Sequence, residues 1–122
     1  MKNTIYVLED NPEILEIISI ILEAEGYDIK GFPTVSEFMS NYKLAQPSLY
    51  LLDVMLPDGN GLDVCSLIKS DHQIPVIIMT ANSQMEKMRE VCAADFFIAK
   101  PFDIDHLAQK INELIQHSQD TI

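Results

Sequence analysis

Five short apolar runs alternate with segments of helical periodicity along the chain, and this alternation constrains the fold more than any other feature. The runs lie at about residues 4–8, 28–32, 48–53, 75–80 and 95–99. Such alternation is typical of right-handed βαβ units, so it predicts an α/β fold: a doubly wound (βα)5 arrangement around a five-stranded parallel sheet. The chain has 122 residues, of which 48% are hydrophobic, and we expect a single domain with one core.

The composition of each run predicts its place in the sheet. The third, fourth and fifth runs are almost continuously apolar, which is typical of central strands covered on both faces. The second run, residues 27–32, alternates apolar with polar positions and is predicted to be an edge strand.

Capping and breaking residues mark the first helix. It is predicted to begin near Pro12, with Asp10 or Asn11 as its cap, and to end at Gly26. The third helix is predicted at about residues 61–70.

Two capping boxes, at residues 34–37 and 83–86, predict the starts of the second and fourth helices. The fifth helix is predicted to fail near Ser118. We therefore expect a domain over residues 1–118, followed by a frayed tail over 119–122.

The charge of the chain excludes several functions. Its 8 basic and 19 acidic residues give a net charge of −11, which repels nucleic-acid phosphates and anionic lipids, so direct binding to nucleic acid or to a membrane is not expected. The N-terminal residues lead directly into a strand-like run that is too short for a signal peptide or a membrane span. The expected location is the cytoplasm.

The cysteines and histidines show no metal-binding spacing. Cys65 and Cys92 lack CxxC spacing and are interpreted as small buried apolar residues without a disulfide. His72, His106 and His117 lie in a loop or on the polar side of the last helix, and we expect them at the surface.

Charged and hydroxyl residues follow four of the apolar runs, at the point where each run ends. Glu9 and Asp10 follow the first run, Asp53 the third, Thr80 the fourth and Lys100 the fifth. Because ligands of open parallel sheets bind at the carboxyl ends of the strands, these residues are predicted to form one site.

Such a site needs positive charge. Three carboxylates within about 4 Å of one another cost roughly 4 kcal/mol per pair at an effective dielectric of about 20. Lys100 supplies one positive charge, and the all-oxygen ligands favour Mg2+, with Mn2+ as a second candidate, over zinc. Beside a cation and a lysine, Asp53 on its predicted central strand can attack phosphorus and form an aspartyl phosphate.

Each of these residues also has a purely structural explanation when it is taken alone. Glu9 and Asp10 complement the dipole of the first helix, and Asp53 can cap the turn that follows it. Lys100 can be a solvated lysine before a proline, and threonine is favoured in strands, as at Thr80. The site hypothesis depends on all of them occurring together.

Four segments closely resemble the receiver domain of two-component response regulators, whose fold is flavodoxin-like and CheY-like. They are residues 8–11 (LEDN), 52–61 (LDVMLPDGNG), 79–81 (MTA) and 94–102 (ADFFIAKPF). The likeness covers essentially the whole chain.

The resemblance implies a phosphoacceptor. Asp53 would receive phosphate from a histidine kinase or a histidine phosphotransfer protein, and the domain would catalyse only its own phosphorylation and dephosphorylation. Mg2+ would be held by Asp10, Asp53 and the carbonyl of Met55, with Glu9 acting mainly through a coordinated water.

The resemblance also implies a conformational switch. Lys100 and Thr80 would bind phosphoryl oxygens, Phe97 would be the switch aromatic, and the Lys100–Pro101 peptide bond would be cis. The switched surface, made by the fourth helix, fifth strand and fifth helix, would bind a downstream protein target or a second copy of the chain. A plain core aromatic is the alternative interpretation of Phe97.

Three alternative functions fit the sequence less well. Phosphatases and dehalogenases with an aspartate nucleophile have an Asp-x-Asp signature, but Met55 stands at its second position. A flavodoxin-like electron carrier needs phosphate-binding donors that the acidic first loop lacks. A receiver-like module that binds partners without phosphorylation remains the main alternative, although Asp10, Asp53, Thr80 and Lys100 argue against it.

Overall fold

A computed structural model describes residues 3–81 and 85–120. Its main feature is a five-stranded parallel sheet with the strand order β2-β1-β3-β4-β5. The strands are β1 (Thr4–Leu8), β2 (Asp28–Phe32), β3 (Leu49–Asp53), β4 (Val76–Thr80) and β5 (Phe96–Ala99). All five predicted strands are confirmed to within one residue at each end.

Within the described ranges, five helices cover the two faces of this sheet. They are α1 (Pro12–Ala24), α2 (Val35–Tyr42), α3 (Gly61–Asp71), α4 (Met85–Val91) and α5 (Ile104–Asp120). One core cluster joins the sheet to α1 and α5, and a second joins it to α2, α3 and α4. The doubly wound (βα)5 prediction is therefore confirmed.

The two outer strands differ from each other in composition. β2 lies at one edge, as its alternating pattern predicted. The fifth run was predicted to be central, and this is wrong, because β5 forms the opposite edge. Phe97 packs into one core cluster and Ile98 into the other. The apolar run therefore indicates only that helices cover both faces of the strand. A strand at the edge of the sheet can be covered in this way without a neighbouring strand on each side.

The helix ends follow the capping chemistry of the sequence. Asn11 caps α1, where its Oδ1 accepts hydrogen bonds from the backbone N–H groups of Glu13 and Ile14. Gly26, just beyond the helix, has a φ of 97°, a conformation that favours glycine.

The last helix is longer than predicted. It continues to Asp120, two residues past the predicted end at Ser118, so residues 119 and 120 of the predicted tail are helical. Residues 121 and 122 lie outside the described ranges, as do residues 83 and 84 of the predicted capping box for α4.

A short antiparallel hairpin between β3 and α3 was not predicted. Met55–Leu56 pairs with Gly59–Asn60 around a two-residue turn. The chain then approaches its own backbone so closely that a Cβ at Gly61 would lie 1.9 Å from the carbonyl oxygen of Asp53. Only glycine fits there, and it allows the end of the hairpin to pack directly against the backbone at the end of β3.

The cysteine prediction is confirmed, because Cys65 and Cys92 are both buried and carry free thiols. His106 and His117 are exposed as predicted, whereas His72 is half-buried and packs edge-on against the ring of Tyr42. Among the described residues, no helix is both long and apolar enough to span a membrane.

Candidate functional site

The carboxyl ends of the neighbouring inner strands β1 and β3 bring together three acidic side chains. Leu8 pairs with Leu52, so the residues that follow them, Glu9, Asp10 and Asp53, lie side by side. Carboxylate oxygens of these three residues are all within 4.8 Å of one another. The convergence predicted from their positions after the apolar runs is therefore present.

Lys100 reaches the same cluster from the end of β5. Its Nζ lies 2.6 Å from Oε1 of Glu9 and 3.2 Å from Oδ2 of Asp53. The Lys100–Pro101 peptide bond is cis. One ammonium group thus binds two of the three carboxylates directly.

Glu9 is almost completely buried, and both of its carboxylate oxygens accept hydrogen bonds. Oε1 accepts from Lys100, and Oε2 accepts from the backbone N–H of Asn11 at 3.1 Å. Burial raises the pKa of Glu9 above its ordinary value, although these two hydrogen bonds act in the opposite direction. Glu9 therefore holds Lys100 in place from inside the protein.

The electrostatics of Lys100 are governed by its acidic partners. Burial alone lowers the pKa of its ammonium, but the hydrogen bond from Lys100 to Glu9 and the charges of Asp53 and Glu9 outweigh burial and raise this pKa above its ordinary value. Lys100 is consequently charged at neutral pH.

The cluster has the composition of a site for a hard divalent cation. Three carboxyl groups share one ammonium, so negative charge is in excess when the carboxyls are ionised. Asp10 is exposed, and it can meet an ion that arrives from solvent. The ligands are all oxygen, which fits Mg2+ or Mn2+.

A cavity of about 170 Å³ opens beside Asp53. Asp53, Thr80 and Lys100 contribute its polar groups, and Met55 and Met88 contribute apolar surface. Thr80 is buried and stands at the end of β4. The predicted phosphoryl-binding residues therefore line one small space together with Met55.

Phe97 does not line that cavity. Its ring is 5% exposed and belongs to the core cluster that contains Met88. The guanidinium carbon of Arg89 on α4 lies 5.6 Å from the centre of the ring, which is the geometry of a cation–π contact. This inward position fits both a core aromatic and one position of a switch aromatic.

Sequence reasoning missed the contacts of Asp58 and Arg89. Asp58 lies in a Pro-Asp-Gly turn, where aspartate is expected for turn chemistry alone. Its carboxylate instead accepts hydrogen bonds from the backbone N–H groups of Val35 and Ser36, which are 23 and 22 residues away. No local pattern signals a contact over that distance.

This sheet order, with an acidic cluster and a lysine at the strand ends, places the chain in the CheY-like class of flavodoxin-like folds. The sequence narrows the class further, because the family profile described as the response regulator receiver domain matches residues 5–112. The chain belongs to this family: it is a receiver domain of two-component signalling systems.

Individual relatives agree with this assignment. The response regulator ArlR of Staphylococcus saprophyticus is 36% identical over 118 residues, 92% of this chain and 52% of ArlR. The DNA-binding response regulator MtrA of Mycolicibacterium smegmatis is 30% identical over 122 residues, 98% of this chain and 54% of MtrA. The chain therefore spans about half the length of the curated relatives it matches.

A solved structure has the same fold over the full chain. The CheY-like receiver domain protein of Methanospirillum hungatei superposes with a TM-score of 0.92 at 26% identity, covering 100% of both chains. Receiver domains bind Mg2+ at an acidic pocket, and Glu9, Asp10 and Asp53 form such a pocket here.

Proposed function

We propose that Asp53 accepts a phosphoryl group from the phosphorylated histidine of a histidine kinase or a histidine phosphotransfer protein. One observation carries the choice of Asp53: of the three clustered carboxyls, it alone both contacts Lys100 and lines the cavity that contains Thr80. Glu9 contacts Lys100 from the buried side, and Asp10 is exposed.

In this reaction a carboxylate oxygen of Asp53 forms a bond to phosphorus while the bond from phosphorus to the imidazole nitrogen breaks. Lys100 stabilises the charge on the phosphoryl oxygens, and the Thr80 hydroxyl donates a hydrogen bond to one of them. The domain thus catalyses only its own phosphorylation and its own dephosphorylation, in which water attacks the same phosphorus, the bond from phosphorus to the Asp53 oxygen breaks, and inorganic phosphate leaves.

Asp10, Asp53 and the backbone carbonyl of Met55 would hold Mg2+, with Glu9 acting through a coordinated water. The ion would supply positive charge opposite the phosphoryl oxygens. Support comes from the excess of carboxylate over ammonium in the cluster and from Met55 lining the same cavity as Asp53.

Phosphorylation would change the surface formed by α4, β5 and α5. Movement of Thr80 toward the phosphoryl group would alter the space available to the Phe97 ring, which belongs to the same core cluster as Met88 of α4. This surface would bind a downstream protein target or a second copy of the chain. A net charge of −11 disfavours direct contact of this domain with DNA.

We place the domain in the cytoplasm. The two buried cysteines carry free thiols, which is typical of proteins from a reducing compartment.

The test is an intact-mass spectrum after incubation with acetyl phosphate, with and without Mg2+, on the wild type, Asp53→Ala and Asp95→Asn. Asp95 pairs with Lys69 at the opposite end of the sheet and serves as the control carboxylate. We expect one phosphoryl adduct on the wild type and on Asp95→Asn when Mg2+ is present, and none on Asp53→Ala. A folded wild type that takes up no phosphoryl group would favour the module that binds partners without phosphorylation.

A further inference from the structure

We infer that Asp58 is a positioning residue for the proposed Mg2+ site. Its carboxylate binds the N-terminus of α2 and thereby fixes the hairpin that contains the Met55 carbonyl. The inference rests on the proposed function, in which that carbonyl is a ligand. Asp58 itself contacts none of the clustered carboxyls by any described hydrogen bond or ion pair. Its effect on the ion would pass through the backbone of the hairpin.

The Asp58 carboxylate makes a two-point contact with α2. Oδ1 accepts the backbone N–H of Val35 at 2.8 Å, and Oδ2 accepts that of Ser36 at 2.9 Å. A carboxylate at a helix N-terminus is stabilised both by these charge-assisted hydrogen bonds and by the helix dipole. These hydrogen bonds lower the pKa of Asp58 below its ordinary value. Asp58 is therefore ionised at neutral pH.

The hairpin is small, and besides Asp58 it is held by Leu56, which packs against a core cluster, and by Asn60, whose Oδ1 accepts the backbone N–H of Leu62 at 2.7 Å. It contains only two paired positions on each strand, and the side chain of Met55 is 80% exposed. On the α3 side, the N–H of Gly61 donates to the carbonyl oxygen of Val54 at 2.9 Å. On the opposite side, Gly59 of the hairpin packs against α2. The approach is so close that a Cβ placed on Gly59 would lie 2.9 Å from Cγ2 of Val35.

The start of α2 is itself fixed beside the acidic cluster. The backbone N–H of Glu9 donates to the carbonyl oxygen of Phe32 at 3.0 Å, and α2 begins three residues after Phe32. Asp58 therefore completes a connection from the Glu9 side of the site, through the end of β2 and the start of α2, to Met55. Loss of its carboxylate would release one side of this connection.

A second cap on the same helix provides a matched control. Thr34 Oγ1 accepts the backbone N–H of Glu37 at 3.1 Å. Thr34→Ala would weaken the N-terminus of α2 without removing either hydrogen bond of Asp58. Comparing Thr34→Ala with Asp58→Ala separates the general stability of α2 from the position of the hairpin.

The experiment is a Mg2+ titration by isothermal titration calorimetry on the folded 122-residue chain. The variants are Asp58→Ala, Asp58→Asn, Thr34→Ala and Asp53→Asn. Outer contacts of a metal site change its affinity by 10- to 100-fold, and we expect a loss of about tenfold for Asp58→Ala, at the lower end because the contact acts through backbone. Asp58→Asn keeps one acceptor oxygen and should lose less, and Thr34→Ala should bind as the wild type does.

The outcomes separate this inference from the proposed function. Wild-type affinity in folded Asp58→Ala, or an equal loss in Thr34→Ala, would overturn the role of Asp58, while a loss in Asp53→Asn would still support the site. A wild type that binds no Mg2+ would overturn both. If Asp58→Ala does not fold, the comparison of Asp58→Asn with Thr34→Ala decides: equal affinities overturn the inference, and weaker binding in Asp58→Asn supports it.

Discussion

The two ends of the sheet each contain a lysine paired with an aspartate, and the two arrangements differ in charge balance. At the amino end, Lys69 lies 2.6 Å from Oδ2 of Asp95, and the same oxygen accepts the backbone N–H of Val76 at 2.8 Å. Lys69 also donates to the carbonyl oxygen of Ile74 at 3.0 Å. One positive charge meets one negative charge, and each has a further backbone partner.

At the carboxyl end, Lys100 meets Glu9 and Asp53 with Asp10 close by, so carboxyl groups outnumber ammonium groups. Such an excess costs free energy in the absence of a further cation. The comparison shows how a binding site differs from a structural ion pair. The charges of the structural ion pair are balanced, whereas the site has an excess of negative charge that a ligand can neutralise.

The strongest test of this contrast replaces each lysine by methionine, which retains the aliphatic stem. Lys100→Met leaves the buried carboxylate of Glu9 without its charged partner and should destabilise the fold by about 3 kcal/mol, as expected when one member of a buried ion pair is removed. Lys69→Met should cost about 1 kcal/mol, because the side chain of Asp95 is 36% exposed and can be hydrated. Urea denaturation measures both.

The two lysine variants should differ even more clearly in their rates of phosphorylation by acetyl phosphate. Lys100→Met should react about 100-fold more slowly, since one stabilising donor is lost from the transition state. Lys69→Met should keep the wild-type rate under conditions where it is folded. Equal loss of rate in the two variants would show that the two ends do not differ in the proposed way.

A smaller effect is expected from relieving the charge excess. Asp10→Asn removes an exposed carboxylate from the cluster and should stabilise the Mg2+-free protein by about 1 kcal/mol. The same variant should lose most of the stabilisation that Mg2+ gives the wild type, because a bound ion stabilises only the state that binds it. Thermal unfolding with EDTA and with Mg2+ measures both effects.

Glu16→Gln is the control for Asp10→Asn, since it removes one negative charge from the exposed surface of α1 outside the cluster. It should leave the response to Mg2+ unchanged. A gain in Mg2+-free stability as large as that of Asp10→Asn would attribute the effect to net charge alone.

The smallest expected effect is a pH dependence of stability that originates at Glu9. Its pKa is 4.5 in the unfolded reference and higher in the folded protein, mainly because of burial. Between those two values the folded state binds more protons than the unfolded state, so the contribution of Glu9 to stability falls as pH rises through this window. In Glu9→Gln, the free energy of unfolding should fall less with increasing pH than in the wild type. Urea denaturation in EDTA at a series of pH values from 4.5 upward measures this difference. Identical slopes in the two proteins would contradict the assignment.

Local patterns predicted much of the fold. The boundaries of the strands followed from apolar runs, and the start of α1 followed from Asn11 and Pro12, because burial and capping depend on neighbouring residues. The edge position of β5 was not predicted, since Phe97 and Ile98 are buried by helices on the two faces of the strand, and sequence does not show which strand lies alongside.

The candidate site divides in the same way. The strand-end rule predicted that Glu9, Asp10, Asp53 and Lys100 would meet. The structure places oxygens of the three carboxyl groups within 4.8 Å of one another and Lys100 in contact with Glu9 and Asp53. Their individual roles in phosphoryl transfer and metal binding stay predictions. The reach of Asp58 to α2 depends on the path of a hairpin that no local pattern predicted.

The sequence by itself determined the order of strands and helices along the chain, the acidic character of the domain and the residues available at the strand ends. These properties arise from side-chain type and from periods of two and 3.6 residues, which are local. Only the tertiary structure decided that Lys100 pairs with Glu9 and Asp53 across 91 and 47 residues, and that Lys69 forms a balanced pair at the other end. Such distances and the burial around them depend on how the helices pack on the sheet, and charge balance follows from that packing.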